Sequence, residues 1–539
     1  MKKTKYIFIT GGVVSSLGKG IIGASLGVLL KGHGYNVTLQ KFDPYLNVDP
    51  GTMSPYEHGE VFVTDDGSET DLDLGHYERF LDVSMTRLNS VTAGMIFWDV
   101  LNKERKGDYL GNTVQIIPHV TNEIKKRISA ITTKQPLDVV ITEIGGTIGD
   151  IESLPFIEAL RQFEFQNRGN CCHIHLTLVP YLKNSGEFKT KPTQHSVKEL
   201  REVGIHPNII VCRSEKSFQK NIKEKIALFC DVKPNYVISA PDSKSIYEVP
   251  LQMELEKLDK VVLEILNLKG KKTSQITDWK NFVTATQNKS YPCIKIAIAG
   301  KYTKLSDAYL SVVEALRHAA AINECKVEIL WVNSEKITSK EKAKKIFSDI
   351  NGILVPGGFG DRGILGMIFA AQYARENRIP YFGLCLGLHI AAIEFAQHVL
   401  KLNHAYSTEF HPNTPYPVID LMPGQERLKD KGGTMRLGTY PCIVQSQKTK
   451  LYQAYQESLI YERHRHRYEF NNHFKLDYEK AGMKITGVCP ENGLAEVIEL
   501  ENHPWFLACQ FHPELKSRPY KSHPLFKDFI KAAKKQKKN

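Results

Sequence analysis

The sequence predicts an α/β chain of two doubly wound domains, the first a parallel sheet built round a P-loop-like turn. Three observations carry this. An apolar run, Ile7-Phe8-Ile9, enters a glycine loop that ends in Lys19 and opens a helix. A second apolar run, Cys293 to Ala299, meets Gly300 and another helix. Between them, residues 268–291 are polar, carry Lys269-Gly270-Lys271-Lys272 and show no apolar period. That stretch reads as a linker, so the domains are expected at 1–267 and 292–539.

In the first domain, the loop Gly11 to Gly20 holds an anion with its backbone N–H groups, the positive helix end and Lys19. Five residues separate Gly12 from Gly18 where a standard P-loop has four, and Gly20 follows Lys19 in place of Ser or Thr. Any hydroxyl must come from Ser15 or Ser16. Asn36 to Phe42 then forms a second strand, completing a β-α-β unit. The irregular, acid- and proline-rich stretch from Asp43 to Gly51 falls at the sheet's carboxyl edge, where open α/β sheets bind ligands.

Two carboxylates fit such an edge. Asp73 belongs to the acidic run after Glu69, and Glu143 closes the strand Val139 to Thr142 ahead of Gly145-Gly146. Mg²⁺ is held this way, by one or two protein carboxylates plus phosphate oxygens and water. His173 and His175 alternate on a further strand and, with no third ligand near, read as structural. Lys189 to Gln194 is a stiffened loop with two lysines and two threonines, a second place for a triphosphate.

The second domain contains two glycine motifs. Gly358 to Gly363 satisfies G-x-G-x-x-G, so a nicotinamide dehydrogenase has to be weighed, but Pro356-Gly357-Gly358 also suits an oxyanion loop. Gly383-Leu384-Cys385-Leu386-Gly387 is the thiol form of a nucleophile elbow between strand and helix. Near the end of the chain a strand delivers His512 and then Glu514. A base beside a thiol, oriented by a carboxylate, is the logic of acyl transfer.

Composition limits the function classes. With 42% apolar residues the chain can fill sizeable cores, and no stretch approaches the about eighteen apolar residues of a membrane helix. The ten cysteines are scattered without a C-x-x-C pair, pointing to thiols in a reducing cytoplasm. Of the net charge of +12, five units come from Lys531, Lys534, Lys535, Lys537 and Lys538, a tail expected to be solvated and frayed. The remaining surplus suits small polyanions, and neither nucleic acid nor a membrane is expected as a partner.

The motifs taken together resemble the CTP synthase family over nearly the whole chain. Ile9 to Gly20, Asp65 to Phe80, Glu143 to Ser153 and Lys189 to Gln194 are similar to its synthetase domain. Residues from about 292 on are similar to its class I glutamine amidotransferase domain. The resemblance implies a UTP and CTP site from Ser15, Asp150, Ile151, Glu152, Lys189, Thr190, Lys191, Pro192, Thr193, Gln194 and Lys225. It implies ATP on Ser16, Leu17, Gly18, Lys19, Gly20, Ile21 and Asp73, with Mg²⁺ on Asp73 and Glu143 and Lys41 near the transferred phosphate. Catalytic Cys385, His512 and Glu514 come with glutamine contacts at Tyr56, Gly358, Leu386, Gly387, Leu388, His389, Glu409 and Arg467. His389 departs from the pattern, standing where these enzymes commonly have Gln.

The activity so implied is ATP-dependent amination of UTP to CTP, with ammonia cut from glutamine. GTP as activator, CTP as feedback inhibitor and a cytoplasmic homotetramer are further implications. Ammonia would be lost to water, so a protected route between the two sites is expected. Another amidoligase with a fused glutaminase, or a nucleotide-dependent scaffold with an inactive appendage, are the alternatives; the Lys189 to Gln194 loop opposes the first and the complete triad the second.

Overall fold

The computed structural model describes residues 3–134, 136–270, 274–422 and 435–536. They form two compact units, Met1–Asp49 with Asp73–Val283, and Pro50–Leu72 with Thr284–Asn539. Lys271, Lys272, Lys537 and Lys538 lie outside the described residues. No described helix is long and apolar enough to cross a membrane.

The first unit is a seven-stranded, all-parallel sheet. Its strands are β1 (Lys5–Gly11), β2 (Val37–Asp43), β3 (Ser90–Thr92), β4 (Val139–Ile144), β5 (Cys171–Leu178), β6 (Ile209–Ser214) and β7 (Val237–Pro241), in the order β7-β6-β5-β1-β4-β2-β3. β2 and β4 are buried at every residue, as expected when helices cover both faces of a parallel sheet. The helices used below are α1 (Lys19–Gly32), α2 (Leu72–Leu81), α3 (Leu154–Gln166), α4 (Lys191–Glu202) and α5 (Lys220–Cys230). Register places Glu143 beside Ile9 on one neighbour and Lys41 on the other, so both charged side chains emerge together at the carboxyl edge. His173 and His175 share the Thr10 hydroxyl at 2.8 Å each, and their other ring nitrogens meet Glu164 at 2.7 Å and Ser196 at 2.8 Å. Every imidazole nitrogen is thus used inside the fold, the structural role expected.

Two expectations fail here. Residues 268–291 are no plain linker, because Ser274–Gln287 is a helix, α6, whose Trp279 is fully buried. Its indole lies 5.0 Å from the Phe80 ring and 5.8 Å from the Tyr247 ring, and Nε1 donates to the Tyr247 carbonyl at 2.8 Å. Ile276, Phe282 and Val283 are buried with it, a short apolar stripe at spacings of three and four that anchors a segment otherwise polar in composition. The expected loop from Lys189 to Gln194 is likewise mostly helix: α4 begins at Lys191, with Pro192 in its first turn, where the missing N–H costs nothing.

The second unit contains a nine-stranded mixed sheet. Its strands are β8 (Cys293–Gly300), β9 (Lys326–Asn333), β10 (Gly352–Val355), β11 (Tyr381–Leu384), β12 (Arg436–Val444), β13 (Leu459–His466), β14 (Met483–Val488), β15 (Ala495–Leu500) and β16 (Phe506–Cys509). The order is β9-β8-β10-β11-β16-β15-β14-β12-β13; the first five run parallel and the rest antiparallel. Helices α7 (Leu310–Ile322) and α10 (Pro524–Lys535) supply one core, α8 (Ile364–Glu376) and α9 (Leu386–His398) the other. The basic tail is therefore not frayed as far as Lys535: Leu525, Phe526, Phe529 and Ile530 of α10 are fully buried, and Lys531 to Lys535 ride on that helix. Burying each such side chain contributes about 1.5–3 kcal/mol, enough to order the helix despite its charge.

Residues 50–72, which the sequence places inside the first domain, pack with the second unit instead. Glu60 accepts from the Ser311 N–H at 2.8 Å, Asp65 meets Arg463 Nε at 2.6 Å, and Glu69 meets Arg465 Nε at 2.8 Å. Three carboxylates thus staple an excursion of the chain to partly or fully buried partners.

Two candidate active sites

In the first unit the phosphate loop connects β1 to α1. Val13, Ser16 and Gly18 have φ of 82°, 57° and 90°, so the backbone turns repeatedly; a β-branched residue at such a φ is strained. Ser15 and Ser16 are exposed, Leu17 is buried, and Lys19 donates to the Gly146 carbonyl at 2.5 Å. Burial lowers the Lys19 pKa, with Glu143 opposing.

Beside the start of α1 lies a dense charge cluster. Lys41 Nζ is 2.5 Å from Asp73, 3.3 Å from Glu143 and 3.6 Å from Asp43, and the Tyr77 hydroxyl donates to Glu143. Burial works against the Lys41 charge, but the three carboxylates push its pKa well above the ordinary value. Burial also acts on both acids: in Asp73 the Lys41 ammonium outweighs it and the pKa falls, whereas in Glu143 burial prevails and the pKa rises.

This cluster explains Gly20. A Cβ there would sit 2.7 Å from Asp73 Oδ1 and 3.0 Å from Glu143 Oε2, so the carboxylates occupy the space that a P-loop Ser or Thr would need. Their convergence on one point at a helix N-terminus fits Mg²⁺, which requires few protein oxygens when phosphate and water complete the shell. Among the described residues no group of three or more His, Cys, Asp or Glu forms a complete metal cage, so any ion there depends on those outside donors.

The remaining nucleotide candidates are placed as follows. Asp150, Ile151 and Glu152 are exposed just beyond β4, with Asp150 accepting from the Thr147 N–H at 2.8 Å. Lys189 pairs with Glu187 at 2.6 Å, Gln194 donates to the Thr190 hydroxyl at 3.0 Å, and Lys225 is exposed on α5. Thr193 is fully buried and its hydroxyl donates to the Leu178 carbonyl at 3.1 Å, so this structure does not present it to a ligand.

In the second unit Cys385 sits at the turn from β11 into α9 with φ 51° and ψ −100°, a conformation rare outside glycine. The flanking glycines are required: a Cβ on Gly387 would lie 2.3 Å from the Val355 carbonyl oxygen, and one on Gly383 would lie 2.5 Å from that of Gly387. Parallel β16 lies next to β11 and carries the chain to His512, whose Nδ1 is 2.7 Å from Glu514 Oε1. Burial disfavours the imidazolium, but Glu514 and then the Cys385 sulfur overcome it and raise His512 to about 10. His512 Nε2 is buried without a hydrogen bond of its own, and a Cβ on Gly357 would lie 2.9 Å from His512 Cε1 and 3.7 Å from Cys385 Cβ. Thiol, base, carboxylate and a glycine loop therefore share one pocket, the geometry for a thioester and its oxyanion.

Around this pocket Leu386, Gly387, Leu388 and His389 form the buried first turn of α9. His389 Nε2 is 3.0 Å from Gln510 Oε1, and burial lowers its pKa to about 4. The neutral ring therefore serves to hold Gln510, whose amide reaches Cys385 Sγ at 3.8 Å. Glu409 accepts from the Gly360 N–H at 3.0 Å, and burial raises its pKa. Tyr56 comes with the 50–72 excursion and donates to the Lys301 carbonyl at 2.9 Å; Arg467 is half-buried beside β13. Gly358 and Phe359, which open the G-x-G-x-x-G run, line the pocket with Cys385, as the oxyanion-loop alternative requires.

Sequence reasoning missed Lys301, Arg465, Glu60 and Gln510. Glu60 and Arg465 line the Cys385 pocket. Only Gln510, two residues before His512, carried a positional hint.

Two family models match the chain. The family model for the CTP synthase N-terminus matches residues 5–268, and that for class-I glutamine amidotransferase matches residues 304–532. The chain is 59% identical to a CTP synthase of Moorella thermoacetica over 530 residues and 59% identical to one of Clostridium kluyveri over 531 residues, in each case 98% of both chains. A solved glutaminase domain of Trypanosoma brucei CTPS with bound acivicin is 35% identical, covering 46% of this chain and 96% of its own, with a TM-score of 0.43. The chain belongs to the CTP synthase family.

Proposed function

We propose that the chain converts UTP to CTP, using ATP and nitrogen released from glutamine. One observation carries this reading: a single chain holds a Cys385-His512-Glu514 triad in one unit and a lysine–carboxylate cluster beside a phosphate loop in the other. In the second unit His512 holds the proton that leaves Cys385, the thiolate attacks the glutamine carboxamide, His512 gives that proton to the leaving nitrogen, and ammonia departs as the C–N bond breaks, leaving a thioester that water then cleaves. Tyr56, Gly358, Leu386 to His389, Glu409 and Arg467 are assigned to the glutamine, with Glu409 facing its α-ammonium and Arg467 its α-carboxylate.

In the first unit ATP is assigned to Ser16 to Ile21 and Asp73, and UTP to Ser15, Asp150 to Glu152, Lys189 to Gln194 and Lys225. Lys19 and Lys41 steady the γ-phosphoryl group as it passes to O4 of UTP; ammonia then attacks C4 and phosphate leaves. When bound on Asp73 and Glu143, Mg²⁺ supplies neutralisation of the transferred charge. Membership of the family is the ground for extending the proposal to GTP activation, CTP inhibition at part of the UTP site, a homotetramer and a cytoplasmic location.

The test is ATP hydrolysis with ammonium present and UTP, other acceptors or no acceptor added. Hydrolysis is expected with UTP, accompanied by CTP. Equal turnover with a carboxylate acceptor would favour a different amidoligase.

A further inference from the structure

Lys301 follows β8 and is only 2% exposed, yet the chemistry above makes no use of it. Its Nζ donates to the Phe359 carbonyl at 3.0 Å and also to the Gly360 carbonyl. These two carbonyls belong to the turn that leaves Gly357-Gly358, the oxyanion loop. Gly358 itself is so close that a Cβ there would be 3.5 Å from Lys301 Cδ and 3.5 Å from Leu386 Cδ2.

The same turn has two further holds. The Gly360 N–H donates to Glu409 at 3.0 Å, and the Arg465 guanidinium lies 5.0 Å from the Phe359 ring. Lys301 is in turn fixed by its own main chain: its N–H donates to the Tyr309 hydroxyl at 3.1 Å, and its carbonyl accepts from Tyr56 at 2.9 Å. Gly357, Gly358, Gly360 and Gly363 give this stretch high backbone freedom, so an unclamped loop would spend much of its time away from the geometry that faces Cys385. A buried ammonium is costly to maintain without partners, and here its partners are carbonyls of that loop.

We propose that Lys301 is a positioning residue for the glutaminase half, clamping the Phe359–Gly360 turn so that the Gly357 and Gly358 amides stay aimed at the oxyanion beside Cys385. The assignment rests on the glutaminase reading of that pocket. The charged and titratable groups facing Lys301 are Glu409, Asp361, Arg362, Tyr56 and Tyr309. Burial lowers Lys301 to about 8, with Glu409 opposing, so the ammonium clamp is in place at neutral pH and below and weakens as pH climbs through about 8.

The experiment uses the full chain with Lys301→Met and Lys301→Arg. Loss of an oxyanion donor typically costs about 10²–10³ in kcat, so Lys301→Met is expected to lower kcat for glutamine by about 10²-fold with KM within about threefold. Ammonia-dependent CTP formation and the rate of Cys385 alkylation by iodoacetamide should stay as in the unsubstituted chain. Lys301→Arg should recover most of the kcat and hold it above pH 8, because a guanidinium keeps its charge there. An unchanged kcat in Lys301→Met, a loss confined to KM, or an alkaline decline in Lys301→Arg identical to that of the unsubstituted chain would each overturn the proposal. Slowed Cys385 alkylation would do so too, since it means the pocket has collapsed rather than lost an aimed loop. If Cys385→Ala still hydrolyses glutamine, the pocket itself has been misread, a failure separate from any result with Lys301.

Discussion

Substituting Gly20 by Ala probes the lysine–carboxylate cluster with one methyl group. The backbone at Gly20 is not left-handed, and alanine favours a helix start, so backbone terms alone would leave the fold unharmed or gain about 0.4–1 kcal/mol. The new Cβ, however, would lie 2.7 Å from Asp73 Oδ1 and 3.0 Å from Glu143 Oε2, against an ordinary contact of 3.4 Å or more. Asp73 must retreat by about 0.7 Å, and it cannot do so without disturbing its 2.5 Å contact to Lys41. Overpacking of this kind costs about 1–3 kcal/mol of stability. Displacing a phosphoryl-positioning group by something near 1 Å costs about 10²-fold in rate. CTP formation from ammonium should therefore fall about 10²-fold, while glutamine hydrolysis at Cys385, in the other unit, stays within a few-fold. Ammonia-dependent synthesis within twofold of the unsubstituted chain would refute the role given to Asp73 and Glu143.

Three further outcomes are expected. Lys19→Ala should abolish CTP formation with glutamine and with ammonium alike, as read by steady-state synthesis, because the charge steadying the phosphoryl group is gone. Glu152→Ala should raise the inhibition constant for CTP more than the KM for UTP, since only cytosine offers an amino group to a carboxylate; equal changes would remove Glu152 from the product site. Glu514→Gln should move the alkaline limb of glutamine hydrolysis to lower pH. His512 is raised to about 10 from an ordinary value of about 6.5, so its charge-dependent stabilisation is full below the latter and lost as pH climbs through the former. Removing the Glu514 charge narrows that window from the top, and an unmoved limb in a pH–rate profile would contradict the pairing.

Much of the site was legible because its chemistry forces local signatures. A strained elbow at Cys385 demands Gly383 and Gly387, whose absent side chains make room for the carbonyls of Gly387 and Val355. A phosphate loop demands glycines and a lysine. What could not be read depends on contacts distant in sequence. Glu60, Asp65 and Glu69 look like ordinary solvated acids until Ser311, Arg463 and Arg465 arrive from more than 250 residues away. Ile276, Trp279, Phe282 and Val283 make only a short apolar stripe in a polar segment, and its meaning shows once Phe80 and Tyr247 meet it. Gly20 looked like a defect in a motif, and its reason lies on two other elements, at Asp73 and Glu143.

The central claim, that nitrogen supply and nitrogen use are separable chemical modules of one chain, is tested most directly by Cys385→Ala with two nitrogen sources. The substitution removes the nucleophile, and His512 and Glu514 cannot acylate without it. Glutamine-dependent CTP formation should vanish, while ammonium at raised pH should give CTP at close to the unsubstituted rate, because Lys19, Lys41, Asp73 and Glu143 lie in the other unit. Surviving glutamine-dependent synthesis, or loss with both sources in a protein shown to be folded, would contradict the account.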